Sequence, residues 1–178
     1  MYDQLPRPCL FGHRGARGAP ENSLAALALA KEADADGVEI DVRPCRDGSL
    51  VLAHDPSLAR LTRGRDERQV AELSEAELSA LAVDGEPIAT LASALAYCAQ
   101  AGLALNVELK RDVPSRWRAV RALAAALARR EQPLLVSSFD PLMLAGFASL
   151  CPHVPVALLL EPGHRFLRGL ARLGAAAL

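Results

Sequence analysis

Aromatic side chains are scarce: four Phe, two Tyr and one Trp make up 4% of the 178 residues. No cluster of them offers a lipid-docking surface. An excess of charge of one sign is also missing. The formal net charge is −1, so no basic field recruits nucleic acid or an anionic membrane. Cysteine is sparse and widely spaced, at Cys9, Cys45, Cys98 and Cys151. No C-x-x-C pair exists, which argues against a zinc site. Cys9 and Cys98 sit in apolar runs and read as buried thiols, consistent with a reducing, cytoplasmic setting. The opening MYDQLPRP lacks the apolar core of a signal peptide. The apolar run Val156 to Leu160 is far too short to span a bilayer, so no stable membrane insertion is expected.

What is present is an alternation of buried-strand and amphipathic-helix patterns. Cys9 to Phe11 reads as a first strand and Ser23 to Glu32 as a helix capped by Asn22. Gly37 to Val42 is a second strand. Asp47-Gly48 then signals a hairpin with a two-residue turn. Residues 56 to 72 read as an excursion loop, and Ser74 with Glu77 forms a capping box. Helices follow at Leu91 to Ala101, ended by Gly102, at 115 to 130, and from Pro141 to Leu150. In the helix over 115 to 130, Trp117, Val120, Ala124 and Leu127 share the apolar face, with Trp117 packed on the sheet. Strands are expected at Leu103 to Leu109, Leu134 to Ser137 and Val156 to Leu160, with a final helical stretch at the end. His153 and His164 read as surface residues. This order implies a parallel sheet with helices outside it, closed as a β/α barrel or left as an open doubly wound sheet.

Chemistry concentrates at strand ends. Glu39 and Asp41 lie two apart on one strand, so they share a face. Either one of them forms a salt bridge, or both serve a cation that offsets their repulsion. Glu108, in NVELK, adds a third carboxylate from another strand. Three oxygen donors suit Mg²⁺ or Ca²⁺. Lys110 falls on the face of Glu108, where it would neutralise an anion beside the metal. A two-residue Asp47-Gly48 turn pairs Arg46 with Ser49 and sets His54 opposite Asp41; alternatively Leu50 to His54 is itself a barrel strand, which also leaves His54 at a strand end. His13 and Arg14 follow the first strand between glycines that let backbone approach a ligand. Arg14 offers a fork for phosphate oxygens and His13 a group that exchanges protons near neutral pH.

The ordered series GHRGARGAPENS, GVEIDVRPCRDGSLVLAHDPSLARLTRG, EPIATLASAL, LNVELK and VSSFD resembles the glycerophosphodiester phosphodiesterase family over nearly the whole chain. Ser23 replaces the family's usual threonine. The resemblance implies a TIM-type (β/α) barrel, with a hairpin excursion after its second strand, that hydrolyses glycerophosphodiesters to glycerol 3-phosphate and an alcohol. It implies a divalent cation on Glu39, Asp41 and Glu108. His13 and His54 are implied as general acid and base, and Arg14 and Lys110 as phosphate ligands. Glu21 and Asn22, in the Pro-Glu-Asn signature, would support the site. A barrel of this type takes about 200–250 residues, so 1–178 reads as one C-terminally truncated domain, two or three strands short. Such a sheet would expose an apolar inner face and unpaired edges, which a homo-oligomer could cover. The alternatives are an inactive truncated domain, a fragment that needs a partner or its missing strands, and a related barrel lipase.

Overall fold

A computed structural model of the chain describes residues 8–161. The strands are β1 (Phe11–His13), β2 (Gly37–Pro44), β3 (Leu50–Leu52), β4 (Ala82–Val83), β5 (Glu86–Pro87), β6 (Ala104–Leu109), β7 (Leu134–Ser138) and β8 (Val156–Leu158). The helices are α1 (Leu24–Glu32), α2 (Glu75–Ser79), α3 (Leu91–Ala101), α4 (Arg116–Leu127) and α5 (Pro141–Leu150). The final helical stretch and His164 lie outside the described residues.

β1, β2, β6, β7 and β8 form one parallel sheet in chain order. A doubly wound sheet reverses its strand order partway and carries helices on both faces. Here α1, α3, α4 and α5 contribute to a single core with Val38, Ile40 and Val42 of β2, Leu105, Val107 and Leu109 of β6, and Leu134 and Val136 of β7. Helices on one face of an in-order parallel sheet are the winding of a β/α barrel, here incomplete.

Alternation then decides what the opposite, inner face carries. Its residues are Glu39, Asp41 and Arg43 on β2, Ala104, Asn106 and Glu108 on β6, and Leu135 and Ser137 on β7. The inner face is therefore polar on β2 and mixed on β6 and β7, where Ala104 and Leu135 join it, rather than uniformly apolar as expected. On β2 the hydrophobic residues occupy the helix-facing positions and the polar groups the intervening ones.

Local signals account for most boundaries. Ser74, Thr90, Ser115 and Asp140 each cap a helix through their side chains, and Gly102 ends α3 with φ 69°. α1 differs from expectation. Ser23, not Asn22, is its N-cap and accepts from Ala26 N–H. Trp117 also departs. It is about half exposed and covers Gly146 of α5 rather than the sheet. Cys9 is exposed, whereas Cys45, Cys98 and Cys151 are buried. His153 is exposed, as expected.

β3 pairs antiparallel with β2, in the register Val42 to Leu52 and Pro44 to Leu50. The turn holds three residues, Arg46 to Gly48, because Cys45 pairs with Ser49. Asp47 fixes this form: its carboxylate accepts from Ser49 N–H and Glu75 N–H, and Gly48 takes φ 91°. The expected two-residue turn instead occurs at Asp84-Gly85, between β4 and β5, where both φ values are positive. That small hairpin joins a satellite core in which Leu58, Val70, Leu73, Leu78, Val83 and Ile88 are buried. The stretch 56–72 is thus anchored on its own core. β3 serves both cores, with Leu50 and Leu52 facing the main one and Val51 and Ala53 the other.

Candidate active site

The parallel register places Asp41 beside Glu108, and Glu39 beside both His13 and Asn106. One ligand oxygen from each of Glu39, Asp41 and Glu108 lies within 4.8 Å of the other two. The three acids drawn from two strands therefore converge. Lys110, just beyond β6, donates to Glu108 at 2.7 Å and to Asp41 at 3.2 Å. Lys110 and the Arg14 guanidinium bring two positive charges to three carboxylates, and Glu39 shows the shortfall. Its Oε1 is buried without a hydrogen-bond partner. Burial, then the neighbouring Asp41 charge, pushes its carboxyl up to about 8; the Arg14 N–H opposes this and the Glu108 charge adds to it. An all-oxygen cluster with an orphaned buried oxygen fits a hard divalent cation.

Arg14 reaches the cluster through a left-handed backbone, φ 56°. That conformation aims its N–H at Glu39 Oε2, 3.1 Å away. Its Nε lies 3.1 Å from Asp41 Oδ2, but off the hydrogen-bonding direction, since Nε has no bonded partner. Its Nη1 contacts both oxygens of Glu21 at 3.3 Å. Asn22 is also left-handed, φ 58°. Its amide donates to Asp41 Oδ2 at 2.9 Å, and its carbonyl oxygen accepts from Asp41 N–H at 3.0 Å. Two non-glycine residues in this region beside one carboxylate store strain that the surroundings must support. Gly15, φ 87°, serves the fold rather than a ligand. A Cβ there would lie 2.6 Å from Ala26 of α1.

His13, at the end of β1, is largely exposed, with Nε2 3.8 Å from Glu39 Oε2. His54 arrives differently from expectation. The three-residue turn moves the register by one, so Ala53, not His54, lies opposite Asp41 and donates to its carbonyl oxygen at 3.1 Å. His54 follows the end of β3. Its Nδ1 is 2.6 Å from Asp55 Oδ1. Its carbonyl oxygen accepts from Nε and Nη2 of the buried Arg43, at 3.0 and 2.5 Å. Arg43 also bonds the Asp112 carbonyl oxygen and carboxylate, at 2.8 to 2.9 Å. It therefore ties the loop carrying His54 to the loop that follows Lys110. Burial pushes the Asp55 carboxyl up, but hydrogen bonds from Arg60 and His54 outweigh it and leave it below its ordinary value.

Sequence reasoning named all seven of these groups: His13, Arg14, Glu39, Asp41, His54, Glu108 and Lys110. It missed Arg43, Asp55 and Arg60. Period-two counting from Glu39 and Asp41 would have found Arg43. A groove of ≈ 490 Å³ lined in part by Arg46, Arg118 and Arg121 shares no residue with the carboxylate cluster. Among the described residues, no helix is long and apolar enough to cross a membrane.

Residues 13–174 match the Glycerophosphoryl diester phosphodiesterase family. The chain is 30% identical over 175 residues to a glycerophosphodiester phosphodiesterase of Caldanaerobacter subterraneus subsp. tengcongensis, covering 89% of this chain and 71% of that one. It superposes on an Oleispira antarctica phosphodiesterase, solved with the product sn-glycerol-3-phosphate, with TM-score 0.82 and 31% identity. That alignment covers 97% of this chain and 73% of the other. A glycerophosphodiester phosphodiesterase from Thermotoga maritima aligns with TM-score 0.74 and 29% identity, over 95% of this chain and 70% of its own. Match, fold and register agree: the chain belongs to the glycerophosphoryl diester phosphodiesterase family of phosphoric diester hydrolases.

Proposed function

We propose that the chain hydrolyses glycerophosphodiesters to glycerol 3-phosphate and an alcohol, using a divalent cation, Mg²⁺ or Ca²⁺, held by Glu39, Asp41 and Glu108. The observation that carries this reading is the carboxylate cluster, with one oxygen from each acid within 4.8 Å of the others and a buried, unbonded oxygen on Glu39. The cation, when bound, supplies Lewis acidity toward a phosphate oxygen and favours deprotonation of a nearby hydroxyl or water.

The protein's own groups supply the rest. Arg14 and Lys110 flank the carboxylates and oppose the negative charge that grows on the nonbridging oxygens. Both are already placed by Asp41, Glu21 and Glu108, so little reorganisation is required. His13 and His54 divide the two proton transfers, one accepting from the nucleophile and the other protonating the leaving alkoxide. Asp55 holds His54 by Nδ1, which leaves Nε2 as the exchanging nitrogen. Asn22 and Lys110 orient Asp41. The fold supports the arrangement by drawing every one of these groups from β1, β2, β6 or the segments that follow β1, β3 and β6.

The test is release of glycerol 3-phosphate from glycerophosphocholine by the purified chain. EDTA should abolish it and Mg²⁺ or Ca²⁺ should restore it. Turnover that survives complete chelation would remove the cation. Absence of turnover by a folded, metal-supplied chain would favour an inactive domain. Release of phosphocholine products from intact bilayers would favour a lipase.

A further inference from the structure

The segments after β1 and β3 are joined by a run of charges of alternating sign. Arg14 Nη1 contacts Glu21, and Glu21 accepts from Arg60 Nη1 and Nη2 at 3.1 and 2.5 Å. Arg60 Nε donates to Asp55 Oδ2, and Asp55 Oδ1 meets His54 Nδ1 at 2.6 Å. An isolated ion pair at a half-exposed site contributes little. Arg60 differs in that one planar guanidinium engages two carboxylates at once, which a lysine ammonium cannot reproduce. Its backbone is also fixed. Leu58 is fully buried in the satellite core, and Thr62 Oγ1 donates to the Leu58 carbonyl oxygen at 3.0 Å and lies 2.9 Å from the Asp66 carbonyl oxygen. The guanidinium is therefore delivered from an anchored turn.

Asp55 Oδ2 has Arg60 as its hydrogen-bond partner, while Oδ1 faces His54. A carboxylate only accepts, so Nδ1 of neutral His54 must carry the proton. With Arg60 removed, Asp55 could rotate and the ring would lose its fixed edge.

We propose that Arg60 is a positioning residue: it locks Asp55 against Nδ1 of His54 and so holds the ring in the Nδ1–H tautomer, with Nε2 as the exchanging position. The role rests on the proposed phosphodiesterase reading only for its consequence in turnover. The tautomer itself is a property of the protein alone.

The test is ¹⁵N NMR of the imidazole nitrogens in the full chain at about pH 9, where an ordinary imidazole is neutral, with His54 assigned by loss of its signals in His54→Gln. The wild type should show Nδ1 protonated and Nε2 unprotonated. Arg60→Gln should move His54 toward the Nε2–H form, as Asp55→Asn should. Arg60→Lys, which can engage one carboxylate at a time, should fall between. In parallel, Arg60→Gln should lower kcat on glycerophosphocholine by about 10- to 100-fold, the usual effect of losing an outer partner of a functional histidine. In the Asp55→Asn background it should add little further loss. An unchanged Nδ1–H tautomer in Arg60→Gln overturns the proposal, as does a full additional loss in the double variant. Should Arg60→Gln not fold, Arg60→Lys is read by the same shift. If the chain shows no turnover, the activity reading fails while the NMR result still decides the role of Arg60.

Discussion

Replacing Glu39 by Gln should stabilise the cation-free protein, and increasingly so as pH rises. Glu39 has one buried oxygen without a partner and two carboxylates beside it. Its carboxyl titrates at about 8 in the folded chain against an ordinary 4.5. Ionising it in place therefore costs up to about 5 kcal/mol, at about 1.4 kcal/mol per pH unit. Below pH 4.5 both states hold the proton. Between 4.5 and 8 the unfolded chain has released it and the folded chain has not, so stability falls with rising pH and levels off above 8. Glutamine removes this slope. Urea denaturation in EDTA at about pH 5 and about pH 9 would measure it, and the difference between wild type and variant cancels the titrating groups that do not interact with Glu39. The variant should gain several kcal/mol relative to wild type across that interval. Parallel pH dependences for the two proteins would refute the view that Glu39 is held in an anion-rich cleft awaiting a cation. Divalent-cation affinity has the converse dependence. It should rise with pH up to about 8, because binding expels the Glu39 proton.

Other substitutions probe the surrounding shell. Asn22→Ala removes both bonds to Asp41 and places Ala in a left-handed backbone. It should cost about 1–3 kcal/mol in a melt and weaken cation affinity about 10- to 100-fold by calorimetry. Gly15→Ala forces a Cβ to within 2.6 Å of Ala26 at φ 87°; a loss of at least about 1–3 kcal/mol in denaturant is expected. His54→Ala should lower turnover about 10²- to 10⁴-fold with an almost unchanged melting temperature, and near-native turnover would exclude it from proton transfer.

The strand alternation of β2 and β6 made the site legible. Val38, Ile40 and Val42 had to face helices, so Glu39 and Asp41 had to face the other way, and register brought Glu108 beside Asp41. Caps at Ser74 and Asp140 and the stop at Gly102 were readable because they are local. The β2–β3 register was not. Asp-Gly is compatible with two- and three-residue turns, and Asp47 chose between them through Glu75, which lies far along the chain. Asn22 misled for a related reason. Its side chain suits a helix cap, but Asp41, nineteen residues away, offers it two bonds. Arg60 was invisible because its partners Glu21 and Asp55 meet it only once the satellite core has formed.

Anomalous diffraction from crystals of the chain grown with Mn²⁺ tests the central claim most directly. One ion should appear bound to carboxylate oxygens of Glu39, Asp41 and Glu108, at roughly 2.0–2.6 Å. Strong anomalous density elsewhere, with Glu39, Asp41 and Glu108 left to their protein partners Arg14, Asn22 and Lys110, would contradict it.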